Sequence, residues 1–180
     1  MGYTMRSVVL LPFLAVLLGM AGPEGTRARL GQLETAMAAE LEAHGQRTMG
    51  QDGMRWKTRL ESFYDCRAQF TVHTSTHMTD TVDKLETLYV GLSGLEPAVM
   101  QADRRELDMP CSSQFQCVTV ATRCTKTTKD GIAVDCTSLA EKRKDALVLE
   151  YDGDPAAAQR IFRLMSQAVE ACRQPVSVAF

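Results

Sequence analysis

Apolar residues recur at helical spacing near the start of the chain. Between Thr26 and His44, four of them lie on one stripe that also has alanine-rich flanks: Leu30, Leu33, Met37 and Leu41. This period predicts a helix over 26–44 that Gly45 ends. The stripe is narrow and flanked by charges, so three arrangements stay open. The helix could pack on the domain, pair with another helix, or stay loosely attached.

A second helical pattern closes the chain. Asp154 is placed to accept from backbone N–H groups at the helix start, and Pro155 follows at the first helical position. An apolar stripe then continues to the end of the helix near Arg173: Ala158, Ile161, Met165, Ala168 and Cys172. We therefore predict an amphipathic C-terminal helix whose apolar face packs on a sheet.

The residues between these helices alternate with a period of two, which is typical of strands. From Arg59 to His73 one face carries Leu60, Ser62, Tyr64, Cys66, Ala68, Phe70 and Val72. That run predicts one half-buried strand, or two strands in line around a bend. Further strands are predicted at 85–92, 98–101, 115–124, 132–136 and 146–151. Polar residues predict loops at 74–83 and 103–108 and a linker at 45–53.

The first 21 residues have the organisation of a secretory signal peptide. Arg6 supplies the positive charge, Val8 to Leu18 form the apolar region, and Gly19-Met20-Ala21 ends in small residues. The apolar run is shorter than the roughly 20 residues of a membrane span. We predict cleavage near Ala21; an uncleaved N-terminal anchor is the alternative.

All six cysteines follow this segment, and an even number in an exported chain favours three disulfides. If Lys129 to Gly131 form a three-residue hairpin loop, Cys124 lies opposite Cys136, with both on the apolar face. We then prefer Cys66 as the partner of Cys172 in the C-terminal helix, which leaves Cys111 with Cys117. No CxxC spacing occurs, so a zinc knuckle and a CxxC redox centre are disfavoured.

Composition narrows the class of protein. The 180 residues include 20 Lys and Arg against 22 Asp and Glu, which is too balanced for a general nucleic-acid binder. We divide the chain into a signal peptide (1–21), an N-terminal helix and linker (22–53), a β-rich domain with the C-terminal helix (54–174) and a tail (175–180). The fold class is α+β: an antiparallel sheet or partly open barrel, closed by the C-terminal helix and stabilised by disulfides.

Four features resemble the pleckstrin-homology-like layout found in uncharacterised exported bacterial proteins. They are Tyr64-x-Cys66, Leu88-x3-Leu92-x2-Leu95-x-Pro97, the strand Leu147 to Tyr151, and Asp154-Pro155-Ala156-Ala157-Ala158 leading to Cys172. The resemblance covers about 59–173 and implies a binding scaffold without catalytic residues. Members that bind phosphoinositides use clustered basic residues near the first hairpin. Residues 74–83 contain no Lys or Arg, so inositol-lipid binding is not expected.

Two groups of residues are candidates for binding. His73, His77 and Met78 could hold a soft or borderline metal, although a Thr/Ser-rich loop with two solvated histidines explains them as well. Basic residues could form a contact patch, or could simply solubilise the surface among interleaved acids: Arg123, Lys126, Lys129, Lys142, Arg143 and Lys144.

No catalytic motif is visible. The sequence has no G-x-S-x-G elbow and no phosphate-binding glycine loop, and the cysteines are better explained as disulfides. We therefore expect a non-catalytic, cofactor-free binding protein of the bacterial periplasm or exterior, with a protein partner and no membrane span after signal cleavage. Its working surface is expected at the loops at one end of the sheet and the N-terminal helix. The alternatives are a periplasmic metal-binding protein and a small secreted enzyme inhibitor.

Overall fold

The computed structural model describes residues 23–49, 53–77, 81–97, 101–103, 105–112, 116–128 and 130–173. The predicted signal peptide (1–21) and tail (175–180) lie outside these ranges. Within them, neither helix is both long enough and apolar enough to cross a membrane.

In the described part of the chain, one helix precedes the ten strands and one helix follows them. The helices are α1 (Pro23–His44) and α2 (Pro155–Arg173), and a 3₁₀ turn spans Leu92–Gly94. The strands are β1 (Gln46–Met49), β2 (Met54–Tyr64), β3 (Arg67–His77), β4 (Thr81–Gly91), β5 (Gln101–Asp103), β6 (Glu106–Pro110), β7 (Val118–Thr127), β8 (Ala133–Asp135), β9 (Ser138–Lys144) and β10 (Ala146–Glu150).

Every strand pairing among the described residues is antiparallel. The main sheet has the order β1-β2-β3-β4-β7, and β7 pairs with β8 along its second half and with β9 along its first half. A smaller sheet has the order β10-β6-β5. The chain is therefore α+β with antiparallel sheets and a helix at each end of the described chain, as the sequence predicted.

The first long alternating run is two strands folded back on each other, which corrects the prediction of strands in line. Asp65 and Cys66 have positive φ angles of 45° and 57°, so they form a two-residue turn, and Tyr64 pairs with Arg67. This turn carries no Asn-Gly or Asp-Gly signal, which is why the sequence pattern missed it. The β-bulge of β2 between Leu60 and Ser62 shifts the alternation by one residue, so Phe63 is buried and Tyr64 lies at the surface instead of in the core.

The predicted loop at 74–83 is also wrong, because most of it is strand. β3 continues to His77, β4 begins at Thr81, and Ser75 pairs with Asp83. Thr76 is buried. Threonine is a good strand former, so a polar, Thr-rich stretch can extend a hairpin while it looks like a loop. Residues 78–80 lie outside the described part.

Two other stretches expected to be irregular also form strands. Residues 46–49 of the predicted linker form β1, where Gln46 pairs with Lys57 of β2. The predicted loop at 103–108 contains the end of β5 and the start of β6, where Asp103 pairs with Glu106. Both stretches form or adjoin sheet edges, where polar side chains face solvent. Of the predicted strand at 98–101, Gln101 belongs to β5, and 98–100 lie outside the described residues.

Helix α1 packs on the domain, which decides among the three predicted arrangements. All four residues of its apolar stripe are buried against β2 and α2. Glu34 also accepts a hydrogen bond (2.9 Å) from the amide of Phe63, just after the β-bulge of β2 between Leu60 and Ser62. The helix thus satisfies a backbone donor next to that irregularity.

Helix α2 begins and packs as predicted. Asp154 Oδ1 accepts from the Ala156 amide at 2.9 Å, and Ala158, Ile161, Met165 and Ala168 are buried. At the other end, Arg173 donates to the backbone carbonyl oxygens of Ser93 (3.3 Å) and Leu95. These bonds hold the C-terminus of α2 against the 3₁₀ turn.

The six cysteines form the three disulfides that the sequence predicted. Cα–Cα distances are 5.5 Å for Cys66–Cys172, 5.6 Å for Cys111–Cys117 and 4.8 Å for Cys124–Cys136. The hairpin register is also the predicted one, since Thr125 pairs with Asp135. The apolar residues Ile132 and Val134 of this hairpin lie at the surface, where they are 62% and 46% exposed.

Gly45 provides the first test of this packing. A Cβ atom there would lie 2.5 Å from the Leu41 carbonyl oxygen and 2.7 Å from that of Thr58, and both are rigid backbone atoms. Gly45→Ala should therefore destabilise the protein by about 1–3 kcal/mol in urea unfolding under oxidising conditions. Gly31→Ala is the matched control, because no atom lies within 4 Å of its Cβ position. It should stabilise α1 by about 0.5–1 kcal/mol. Equal effects of the two substitutions would contradict the close approach of α1 to β2.

The disulfides should differ in their contribution to stability. Cys66 and Cys172 are 106 residues apart, whereas Cys111 and Cys117 are 6 apart. Loop-closure entropy then gives about 5 kcal/mol for the first and about 2 kcal/mol for the second. Guanidinium unfolding of the two double Cys→Ser variants measures these values. A larger loss for the Cys111/Cys117 pair would contradict the expectation.

Candidate functional site

The main sheet has one covered face and one open face. On β3 and β4, Phe70, Val72, Leu88 and Val90 point to the helices and are buried. The alternate residues form the opposite face, which we call the outer face. The described residues of this face on β3 and β4 are half-buried or exposed, so the face is available for binding.

A depression lies on the outer face near the β2–β3 turn, and we call it the tyrosine trough. It consists of two adjoining parts of about 550 and 470 Å³ that share Gln69, Tyr89 and Glu141. Its lining side chains come from five strands and the segment before β7: Ser62, Tyr64, Arg67, Gln69, Leu85, Thr87, Tyr89, Cys117, Thr119, Ala121, Arg123, Ser138 and Glu141.

Two tyrosines dominate the trough. Tyr64 is 63% exposed and Tyr89 is 44% exposed, and they pair with Arg67 and Gln69 on the intervening strand β3. Large aromatic side chains exposed on a rigid sheet are typical of binding surfaces, since they bury much area with little loss of entropy. Around them lie hydroxyl and amide groups that can donate and accept hydrogen bonds.

The trough carries charges of both signs. Arg67 and Arg123 contribute guanidinium groups, and Glu141 contributes a carboxylate from β9. Such a mixture suits a ligand that has both polar and apolar groups. It does not favour a uniformly charged polymer.

A second, smaller depression of about 250 Å³ lies at the other end of β2, and we call it the donor grid. Its outer-face residues form two rows across β1, β2 and β3: Thr48–Arg55–Ser75 and Gln46–Lys57–His73. Each of the six side chains can donate a hydrogen bond. None of the side chains that line this depression is acidic.

Two side chains of the donor grid bind carboxylates at its rim. Lys57 Nζ lies 3.1 Å from Glu42 Oε1 of α1, and this hydrogen bond and charge lower the pKa of Glu42. His73 Nε2 bonds to Asp83 of β4. Lys57 and His73 are therefore held in position, and Glu42 partly balances the charge of Lys57.

The covered side of the donor grid is held by Arg47. Its guanidinium bonds to Glu150 Oε2 at 2.7 Å and Glu106 Oε1 at 3.1 Å, and lies 5.1 Å from the centre of the Trp56 ring. Burial raises the pKa of Glu150, although the bond from Arg47 opposes that change. These contacts join β1 to both sheets and fix the backbone under the grid.

The predicted metal ligands are spread along an extended strand. His73 and His77 both belong to β3, four residues apart, so their Cα atoms are separated by about 13 Å. That is a wide spacing for two imidazoles that must each lie about 2.1 Å from one ion. The His77 side chain and Met78 lie outside the described part. Within it, no group of three or more His, Cys, Asp or Glu side chains could hold a metal.

The predicted basic patch divides between two sides of the sheet. Arg123 and Arg143 have outer-face register positions, opposite Leu85 and Thr119. Lys142 and Lys144 lie opposite Val120 and Val118 on the other side, at the open edge of β9. Lys126 pairs with Val82 and Val134, and Lys129 lies outside the described residues. Charges along an edge strand prevent further strand pairing, which explains Lys142 and Lys144.

The surface expected from the sequence is therefore only partly the one observed. Helix α1 cannot use its apolar stripe for a partner helix, because the stripe is already buried. Tyr64, Tyr89 and Arg55 were not singled out by sequence reasoning. A signal did exist for Tyr89, which occupies an outward position of the alternating run 85–92. For Tyr64 the alternating pattern was misleading, because the β-bulge between Leu60 and Ser62 shifts it by one residue.

Comparison of the chain with known proteins found no matching family model, curated protein or solved structure.

The assignment of the two faces can be tested by stability. Tyr89→Ala should change the free energy of unfolding by about 0.5–1 kcal/mol or less, since the side chain is largely outside the core. Phe70→Ala, on the covered face of the adjacent strand, should cost about 3–5 kcal/mol. Urea unfolding of both variants measures the difference. A large loss for Tyr89→Ala would mean that the trough is part of the structural core.

Proposed function

We propose that the chain is an exported, non-catalytic binding protein of the bacterial envelope or exterior, and that it binds an extended segment of a partner protein in the tyrosine trough. The observation that carries the proposal is the pair of exposed tyrosines in a depression on the only uncovered face of the main sheet within the described part. The pleckstrin-homology-like layout remains part of this proposal. The two antiparallel sheets and the C-terminal helix support it.

The chemistry of the trough favours a polypeptide segment as ligand. Tyr64 and Tyr89 offer flat apolar area for side chains, while Gln69 and Thr87 offer polar groups to a peptide backbone. Arg123 and Glu141 can distinguish ligand charges of opposite sign. The disulfides support this function by keeping the sheet rigid, since a preorganised surface loses less entropy on binding.

Selection of a phage-displayed peptide library on the oxidised protein tests the proposal. Selected peptides should lose affinity about tenfold or more with Tyr89→Ala or Tyr64→Ala, as expected for aromatic hot spots. Val134→Ala is the matched control, because Val134 is an exposed apolar residue of the β7–β8 hairpin that does not line the trough. Peptides that bind equally well to both tyrosine variants would contradict the proposal.

One observation favours the enzyme-inhibitor alternative. The Cys124–Cys136 disulfide closes a hairpin whose tip exposes Ile132 and Val134, and a pinned, apolar tip suits rigid docking into an enzyme cleft. Inhibition of a panel of secreted hydrolases that is lost with Val134→Ala but kept with Tyr89→Ala would select this function over peptide binding in the trough.

A further inference from the structure

We infer that the donor grid is a second binding site, for a tetrahedral oxyanion carried by a phosphate monoester or a sulfate ester. The donor grid and the tyrosine trough have no lining residue in common. The donor grid can therefore be tested independently of the proposed function.

The strand register brings the donors together. Thr48 pairs with Arg55, and Arg55 pairs with Ser75, so a guanidinium lies between two hydroxyls in one row. Side chains directly opposite each other on neighbouring strands are about 4.5–5.5 Å apart at Cβ. The second row, two residues along the strands, is about 7 Å away. An anion between the rows is within reach of donors from three strands.

Charge and volume fit an oxyanion. Arg55 is exposed and forms no ion pair with any residue that the structure describes, whereas the neighbouring Lys57 is paired with Glu42. A guanidinium binds phosphate and sulfate oxygens through parallel N–H bonds, and hydroxyl groups complete such a site. The depression of about 250 Å³ is several times the roughly 30 Å³ that one water occupies, which leaves room for the group that carries the anion.

The support below the grid fixes its geometry. Arg47 and Trp56 belong to the same strands but point to the covered side, where Arg47 binds Glu150 and Glu106. The contacts of Arg47 with these carboxylates and with the Trp56 ring therefore hold the backbone of Thr48 and Arg55 in place. A surface cluster without such support would have to order its strands upon binding.

Titration of the ¹⁵N-labelled, oxidised protein with sodium phosphate and sodium sulfate at constant ionic strength tests the inference. We expect saturable shifts of the amides of Thr48, Arg55 and Ser75, with dissociation constants on the order of millimolar, because exposed ion pairs are weak. Sodium chloride should give no saturable shift. Phenyl phosphate and phenyl sulfate then distinguish the two sources of the oxyanion by their relative affinity.

Three variants make the test specific. Arg55→Gln should weaken phosphate binding about fivefold or more, because it removes the central guanidinium. Arg143→Gln is the matched control on the same face, outside both the donor grid and the tyrosine trough, and should leave binding unchanged. Glu42→Gln should tighten binding about threefold, since it removes the negative charge that is paired with Lys57.

Equal shifts with chloride, or equal weakening by Arg55→Gln and Arg143→Gln, would overturn the inference, because they would show screening of general surface charge. Tighter binding of acetate than of phosphate would show a carboxylate site instead of a tetrahedral oxyanion site. Because Arg55 is exposed, its substitution should leave the amide spectrum outside the grid unchanged, and that spectrum serves as the check on folding.

Discussion

One-sided burial of the main sheet is the constraint on which the rest of the structure depends. Two helices and the smaller sheet contribute to the core on one side of β2, β3, β4 and β7, where Phe70, Leu88, Val90 and Val118 are buried. A strand alternates its side chains, so burial of one face commits every second residue to the other. The tyrosines, the donor rows and the threonines of β3 and β4 reach the surface for this reason. Burial of the core residues therefore determines which side chains form the outer face.

The Cys66–Cys172 disulfide holds the C-terminal helix against the main sheet. Cys66 lies in the two-residue turn between β2 and β3, and Cys172 lies in the last turn of α2. Arg173, the next residue, binds the carbonyl oxygens of the 3₁₀ turn that follows β4. The C-terminal helix is therefore attached to three consecutive strands at one end. The positive φ angle of Cys66 has an energetic cost for a residue with a side chain. We attribute this backbone conformation to the disulfide of Cys66 and to the tight β2–β3 turn that the positive φ angle permits.

Sequence reasoning succeeded where the pattern is local and failed where it depends on distant contacts. The Asp154 cap, the α2 stripe and the register that places Cys124 beside Cys136 all follow from residues close together in the chain. The β2–β3 reversal does not, because Asp65 and Cys66 adopt a turn that their residue types do not favour. β1 was also missed, since its pairing with β2 is supported by Arg47, whose carboxylate partners are 59 and 103 residues away. The donor grid depends on that same pairing and was invisible for the same reason.

The edges of the main sheet decide how a partner can approach. Exposed strand edges usually invite pairing with another chain, and many binding domains use them in this way. Here β9 carries Glu141, Lys142, Arg143 and Lys144 along its length, and β1 has only four residues, 46–49. A charged edge and a short edge both oppose the addition of a strand. A ligand that cannot extend the sheet must bind across its face, and it is on that face that the structure places the exposed aromatic side chains and the rows of hydrogen-bond donors.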